Sequence, residues 1–416
     1  MNAPGRDRHF AASDSAKLAD EKMSRGEFIV LIATMMALTA LAVDIMLPAL
    51  PQIGGALGLA NANDRQIVIV SYMLGFSVGQ LAYGRLSDDY GRKPVLLVGM
   101  AIFIGGSLVA SLASDFTTML IARAVQGLGA AAPRVIAIAL VRDRYVGREM
   151  ARVMSFAMAV FIIIPVLAPF VGQGLLQVGS WRLVFDLLLV VGVIVALWSG
   201  LRLPETCPSR MGKPLPLGEA TRYALETPQT IGYAIAGGLV FGTVLSYVSS
   251  AQQVFVDVFG LGERFPLAFA ATAVMIAVAS LTNAMMVERL GMRRLSHTSL
   301  AAFIAVSALL VALILAGVAG FWVFICLMMP LFLLFGLIAP NFNALAMEPQ
   351  GDNAGMASSV VGFVSTGLGA LTGGLIGHLF NGTVLPLALG CLVLGVLAFA
   401  VVAWVERLRG LFHPGR

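Results

Sequence analysis

The sequence predicts an all-α polytopic membrane protein, with twelve transmembrane helices in two six-helix pseudo-repeats. Three observations carry this prediction. Of 416 residues, 59% are hydrophobic and 12% charged, whereas a soluble domain carries about a quarter charged residues. Apolar runs such as 28–50 and 93–113 hold one charge each, and at about 20 residues they can cross a hydrocarbon layer ~30 Å thick. The second half of the chain echoes the first. Backbone groups in lipid must bond within their own segment, which makes the runs helices. They lack the two-residue alternation of an outer-membrane barrel.

Residues 1–27 are polar and mixed in charge with no short apolar stretch before a cleavage site, so they read as a retained cytoplasmic tail. The spans follow at 28–50, 66–84, 94–113, 117–141, 150–176, 182–203, 229–251, 265–287, 298–317, 320–342, 354–378 and 383–405. The domains are an N-terminal bundle at 28–203, a central cytoplasmic loop at 204–228, a C-terminal bundle at 229–405 and a cytoplasmic tail at 406–416. With both termini inside, the inner segments hold 22 of the 27 Lys and Arg residues. The positive-inside rule then sets the orientation and accounts for the net charge of +5 without nucleic acid. The expected location is a bacterial inner membrane, crossed many times.

A shift of 200 positions lays Asp88-Asp89-Tyr90-Gly91-Arg92-Lys93 on Glu288-Arg289-Leu290-Gly291-Met292-Arg293. Acid, glycine and base coincide, each after the second span of its half. A shift of 207 lays Gly129 and Pro133 of span 4 on Gly336 and Pro340 of span 10. Repeats of this kind place a substrate site between the halves near mid-membrane, with transport as one half rocks against the other. Two repeats make a complete transporter, so a monomer is expected.

The segment Gly84-Arg85-Leu86-Ser87-Asp88-Asp89-Tyr90-Gly91-Arg92-Lys93 resembles the signature loop between helices 2 and 3 of the major facilitator superfamily. The resemblance implies a charge lock at the cytoplasmic gate, made by Asp88 with Arg92 and Lys93. Asp88 would face the start of helix 11, Gly84 would let helices approach, and Gly91 would turn the chain. An ordinary positive loop with a turn glycine is the plainer alternative. Arg123-Ala124-Val125-Gln126-Gly127 in span 4 resembles the motif of proton-coupled members. Ala168-Pro169-Phe170-Val171-Gly172-Gln173-Gly174 is similar to the antiporter motif, with Ala168 where a glycine is usual and Gly174 displaced. Pro165 and Pro169 are two breaks in one helix, where a kink is expected. Leu41-Ala42-Val43-Asp44-Ile45-Met46-Leu47-Pro48 resembles the first helix of bicyclomycin and chloramphenicol resistance exporters, in the twelve-helix drug:proton antiporter group. Met36 stands where some relatives carry a second acid.

An ionisable group within a span is costly unless it is paired or hydrated, so it is functional by default. Asp44 lies about 24 Å along span 1, and Arg123 about 9 Å inward from the outer start of span 4. The two share a depth in the outer half of the membrane. They could meet across a cavity or through water, with burial and Arg123 acting in opposite senses on the proton affinity of Asp44. This gives a proton/substrate coupling pair, or else a static brace between spans 1 and 4. Arg134 lies eleven residues after Arg123 on the same face, about 16 Å further inward. It either snorkels or lines the cavity. Gln126, Tyr247 and Asn341 are further cavity candidates, with interhelical hydrogen bonding as their alternative. Arg182 and Asp186 read as an interfacial pair. Glycines 369, 373 and 377 read as a packing stripe.

The implied function is proton-coupled efflux of small amphipathic compounds, such as chloramphenicol- or bicyclomycin-type antibiotics. The partners are that cargo, protons and the lipid bilayer, and the proton gradient replaces any cofactor. The alternative is an exporter or proton symporter of an endogenous metabolite (a sugar, an amino-acid derivative or a siderophore-like compound). An enzyme would need a nucleophile–base set or a metal cluster, and the sequence presents neither. Cys207, Cys326, Cys391 and the histidines at 9, 297, 378 and 413 have no ligand spacing. No phosphate-binding loop is present to use ATP.

Overall fold

The computed structural model describes residues 23–206 and 217–407. The greater part of the tail at 1–27, Cys207, His9 and His413 lie outside the described residues. Among the described residues, twelve helices are long and apolar enough to cross a membrane. We number them α1 (Arg25–Asp44), α2 (Ile67–Tyr90), α3 (Arg92–Leu112), α4 (Phe116–Arg144), α5 (Gly147–Val178), α6 (Arg182–Arg202), α7 (Pro228–Gln252), α8 (Phe265–Leu290), α9 (Met292–Leu315), α10 (Phe321–Met347), α11 (Ala354–His378) and α12 (Leu385–Glu406). Large apolar side chains project outward from them, among them Leu112, Leu281 and Leu315, each 70% exposed. In water this surface would be an aggregation hazard; against lipid it is the solvent-facing side.

The ends of the helices follow local chemistry. Ser24 caps α1 by accepting from the Glu27 backbone N–H at 3.2 Å, satisfying one of the orphan donors of the first turn. Asp115 does the same for α4 through the Thr118 N–H at 2.8 Å. Span 1, read as one run over 28–50, departs from expectation. Its regular helix stops at Asp44, and the chain continues through a 3-10 turn at Leu47–Ala49 into a short helix at Leu50–Ala56. Pro48 has no N–H to offer the carbonyl four residues back, which belongs to Asp44. Span 9 starts at Met292, earlier than its hydropathy suggests, because Arg293 and His297 belong to the helix. Within the loop read at 204–228, Leu217–Glu226 is helical. Ala224 packs with Ala357 and Val360 of α11.

Packing repeats with the sequence. In the N-terminal half α2 and α3 pack on α4, α1 on α5 and α3 on α6; in the C-terminal half α8 and α9 pack on α10, α7 on α11 and α9 on α12. The halves meet where α2 packs on α11 and α5 on α8, which exchange under the same repeat. Gly91 and Gly291, paired by the 200-residue shift, both adopt positive φ, at 99° and 76°. A side chain is disfavoured there, so each glycine permits the hinge between two long helices.

Close crossings rest on small residues. A methyl group on Gly127 would lie 1.9 Å from the Tyr72 carbonyl oxygen of α2, whereas one on Gly174 meets nothing within 4 Å. Gly127→Ala is therefore expected to destabilise the protein by about 1–3 kcal/mol through overpacking. Gly174→Ala should be neutral or stabilising by about 0.5–1 kcal/mol. Thermal melting of the two variants in detergent checks this: a Gly127→Ala melting temperature at or above that of Gly174→Ala contradicts the crossing geometry.

Candidate functional site

The break in span 1 organises the site. Asp44, the last residue of α1, is 5% exposed. Among the described residues its carboxylate has no hydrogen-bond or ion-pair partner. Gly172 of α5 packs on the residue after it, where a methyl would lie 2.0 Å from the Ile45 carbonyl oxygen. The antiporter-like segment is thus brought against the break by a glycine. Pro165 and Pro169 both lie within the single helix α5.

Arg123 approaches the same stretch of α1 but does not pair with Asp44. Its guanidinium is fully buried and donates to the Ala42 carbonyl at 3.2 Å, the Val68 carbonyl at 3.3 Å and Gln126 Oε1. Its Cζ lies 4.4 Å from the centre of the Tyr72 ring. The Tyr72 hydroxyl donates to the Thr39 carbonyl at 3.3 Å. Gln126 passes the network on, its Nε2 donating to Ser107 Oγ of α3 at 2.7 Å. A cation buried among carbonyls and an aromatic face is solvated by the protein. Arg123 ties α4 to α1 and α2 beside Asp44, and Gln126 belongs to that tie.

Arg134 has a different environment. Its Cζ sits 4.5 Å from the ring centre of Phe161 on α5, and its buried Nη1 has no hydrogen-bond partner. Tyr247 is fully buried in an aromatic cluster of the C-terminal half, its ring 4.7 Å from Phe332 and its hydroxyl 2.7 Å from Thr272 Oγ1. Asn341 Nδ2 donates to Asn283 Oδ1 at 2.6 Å, joining α10 to α8. Both make the interhelical contacts named as their alternative role. Arg182 and Asp186 do not pair: Ser111 Oγ donates to Asp186 at 2.5 Å, and Arg182 donates to the Ala113 carbonyl at 3.0 Å. The end of α3 offers each a partner fixed closer than the flexible i, i+4 alternative.

The gate segment forms its lock around Arg92. The guanidinium pairs with Asp88 at 2.5 Å and with Asp143, at the end of α4, at 2.9 Å. The backbone N–H groups of Arg92 and Lys93 donate to the Glu205 carboxylate at 2.9 and 3.1 Å. An acid at a helix N-terminus satisfies orphan donors and faces the positive end of the dipole. Gly84 carries the lock to the other half: a methyl there would lie 2.4 Å from Ser359 Oγ of α11.

Two sets of pairings were not read from the sequence. The first repeats the lock in the C-terminal half, where Arg293 pairs with Glu348 at 2.6 Å and Glu406 at 3.1 Å. The 200-residue echo already pointed to Arg293, and an acid closing span 10 was the available signal. The second ties the halves at the end of the bundle opposite the two locks. Arg65 pairs with Asp257 at 3.4 Å, and His378 Nδ1 lies 3.5 Å from Asp64. Asn63 Nδ2 donates to the Phe380 carbonyl at 2.7 Å, and Gln66 donates to Gln253. These residues come from three loops far apart in sequence, and no local pattern announces them.

With the spans, the repeat and both locks in place, comparison with known proteins decides the family. Residues 32–374 match the Major Facilitator Superfamily. The chain belongs to the major facilitator superfamily. Among its relatives is the "Bicyclomycin resistance protein homolog" of Haemophilus influenzae, 28% identical over 384 residues, covering 89% of this chain and 95% of the relative. The "Multidrug resistance protein MdtL" of Vibrio parahaemolyticus is 28% identical over 351 residues, covering 82% and 85%. The uncharacterized MFS-type transporter YdgK of Bacillus subtilis is 29% identical over 355 residues, covering 83% and 87%. In three dimensions the fold is similar to a bacterial homolog of the human lysosomal transporter Spinster, in an inward-facing and occupied conformation. The TM-score is 0.69 at 16% identity, over 94% of this chain and 99% of that one. It is likewise similar to the partially occluded inward-open xylose transporter XylE of E. coli, with TM-score 0.68, 13% identity and coverage of 91% and 96%. This superfamily member is a multi-pass membrane protein.

Proposed function

We propose that this superfamily member is a proton-coupled efflux transporter that exports small amphipathic compounds, of the chloramphenicol or bicyclomycin kind, by alternating access. The observation that carries the reading is Asp44, a buried carboxyl without a partner among the described residues, at the broken end of α1. A carboxyl in that position can take up a proton in one conformation and release it in another, because no fixed cation holds it in one charge state. The names of the bicyclomycin and multidrug resistance relatives support drug as the cargo.

The charge pattern supports a bacterial inner membrane with both termini in the cytoplasm. In that orientation the ties from Asn63, Arg65 and Gln66 close the path on the outer side. The Arg92 and Arg293 locks lie inside. Release of cargo requires the outer ties to part as one half rocks, with α2–α11 and α5–α8 as the moving seams. The transporter works as a monomer and needs no cofactor, since the proton gradient supplies the energy.

Everted vesicles from a host lacking its own exporters test the reading. After an inward-acid gradient is imposed, antibiotics and cationic dyes are expected to collapse it only when the protein is present. Collapse by sugars or amino-acid derivatives, with none from the antibiotic panel, would replace drug with metabolite as the cargo.

A further inference from the structure

Arg134 is a cation with no paired acid among the described residues. It lies in the interior of α4, on the face that eleven residues earlier directs Arg123 toward α1 and α2, the two differing by about 20° around the helix. Among the described residues no acid pairs with it. The nearest acids in sequence on this half, Asp143 and Glu149, are held by Arg92 at 2.9 Å and Arg25 at 3.2 Å. Arg123 meets carbonyls and Gln126, whereas Nη1 of Arg134 is buried and bonded to nothing among the described residues. A snorkelling arginine takes its donors to water, whereas Nη1 here is buried and the guanidinium lies over the Phe161 ring of the next helix at 4.5 Å.

The surroundings define what would complete it. Phe161 covers one face of the guanidinium, leaving donors along the edge. From Phe161 back along α5, Met158 and Met154 recur at helical spacing and are partly buried. They make an adaptable apolar strip on the helix that carries Phe161. Planar, bidentate donors favour an oxyanion over a neutral acceptor.

We propose that Arg134 and Phe161 form an anion subsite of the transport path, which takes the carboxylate of an amphipathic cargo whose planar ring lies along Met158 and Met154. The proposal rests on the export reading and narrows its substrate class from amphipathic compounds in general to aromatic carboxylates. It also separates two tasks. Asp44 handles the proton and Arg134 the cargo's charge, so an anion leaves while a proton enters. Each turnover then carries net positive charge inward, and an inside-negative potential speeds it.

A matched pair of probes tests this: nalidixate, a planar carboxylate, and its uncharged ethyl ester. Their binding to the purified full-length protein is measured by titration calorimetry. Wild type is expected to prefer the acid by about tenfold or more, the worth of one charge-assisted contact. Arg134→Gln should erase the preference for the acid. Arg134→Lys should retain part of it, and Phe161→Leu should weaken both probes. Melting curves confirm that each variant is folded, and Phe161→Leu carries the test if Arg134→Gln is not. Equal binding of acid and ester by wild type overturns the proposal, as does an acid preference that survives Arg134→Gln. If antibiotics release protons in vesicles but neither probe binds, the anion subsite falls and the export reading stands. If the acid binds through Arg134 but no compound releases protons, proton-coupled export falls and the subsite stands.

Discussion

Replacing Asp44 by asparagine is expected to leave the protein folded and inserted while reducing drug-induced proton release to that of vesicles without it. The carboxyl is 5% exposed and bonds to no described residue, so no partner is left stranded by the change. Asparagine has nearly the same volume, which avoids both cavity and overpacking. What disappears is the one group at the broken end of α1 that can carry a proton. Asp44→Glu keeps the chemistry and displaces it by a methylene, so partial exchange should remain. The measurement is the collapse of an imposed pH gradient in everted vesicles, normalised to protein in the membrane. Undiminished proton release by Asp44→Asn would remove Asp44 from the coupling step.

Arg123→Ala is expected to act in the opposite way, through the fold. The substitution strips donors from the Ala42 and Val68 carbonyls and from Gln126, all in a fully buried pocket. It also empties the space against the Tyr72 ring, now 4.4 Å from Cζ. Leaving the Ala42 carbonyl and Gln126 Oε1 buried without that donor costs about 1–3 kcal/mol each before the cavity is counted. A lower melting temperature and less folded protein in the membrane are the expected readouts, with transport lost in proportion. A variant that melts like wild type but exchanges no protons would assign Arg123 to the coupling chemistry instead of the tie between helices. The two expectations use one rule: removing a group that no other depends on spares the fold, and removing a partner does not.

The twelve spans and their repeat were legible because lipid imposes a one-dimensional rule. Each crossing needs about 20 apolar residues in a helix, and hydropathy counts those residues directly. The gate segment was legible for a related reason: Gly91, Arg92 and Asp88 are neighbours in sequence, and the hinge and the Arg92–Asp88 pair are local. Asp44, Arg123 and Arg134 could be found as charges in apolar runs, since the cost of burying a charge makes each one conspicuous.

The partners of those charges were not legible. Hydropathy sums side chains and ignores the backbone ledger, so the stop at Asp44 went unread although Pro48 was visible. Common depth allowed Arg123 to meet Asp44; rotation about two helix axes sent its donors to Ala42 and Val68 instead. The ties of Asn63, Arg65 and Gln66 to residues beyond 250 require the two halves to be set together, which no segment encodes alone. The sequence by itself determined how often the chain crosses the membrane, that it repeats, and which charges lie inside. Only the tertiary structure decided which of those charges are satisfied by described residues, as at Arg123, and which are not, as at Asp44 and Nη1 of Arg134. Burial cost depends on residue type, whereas satisfaction depends on distances of a few ångströms between helices remote in sequence.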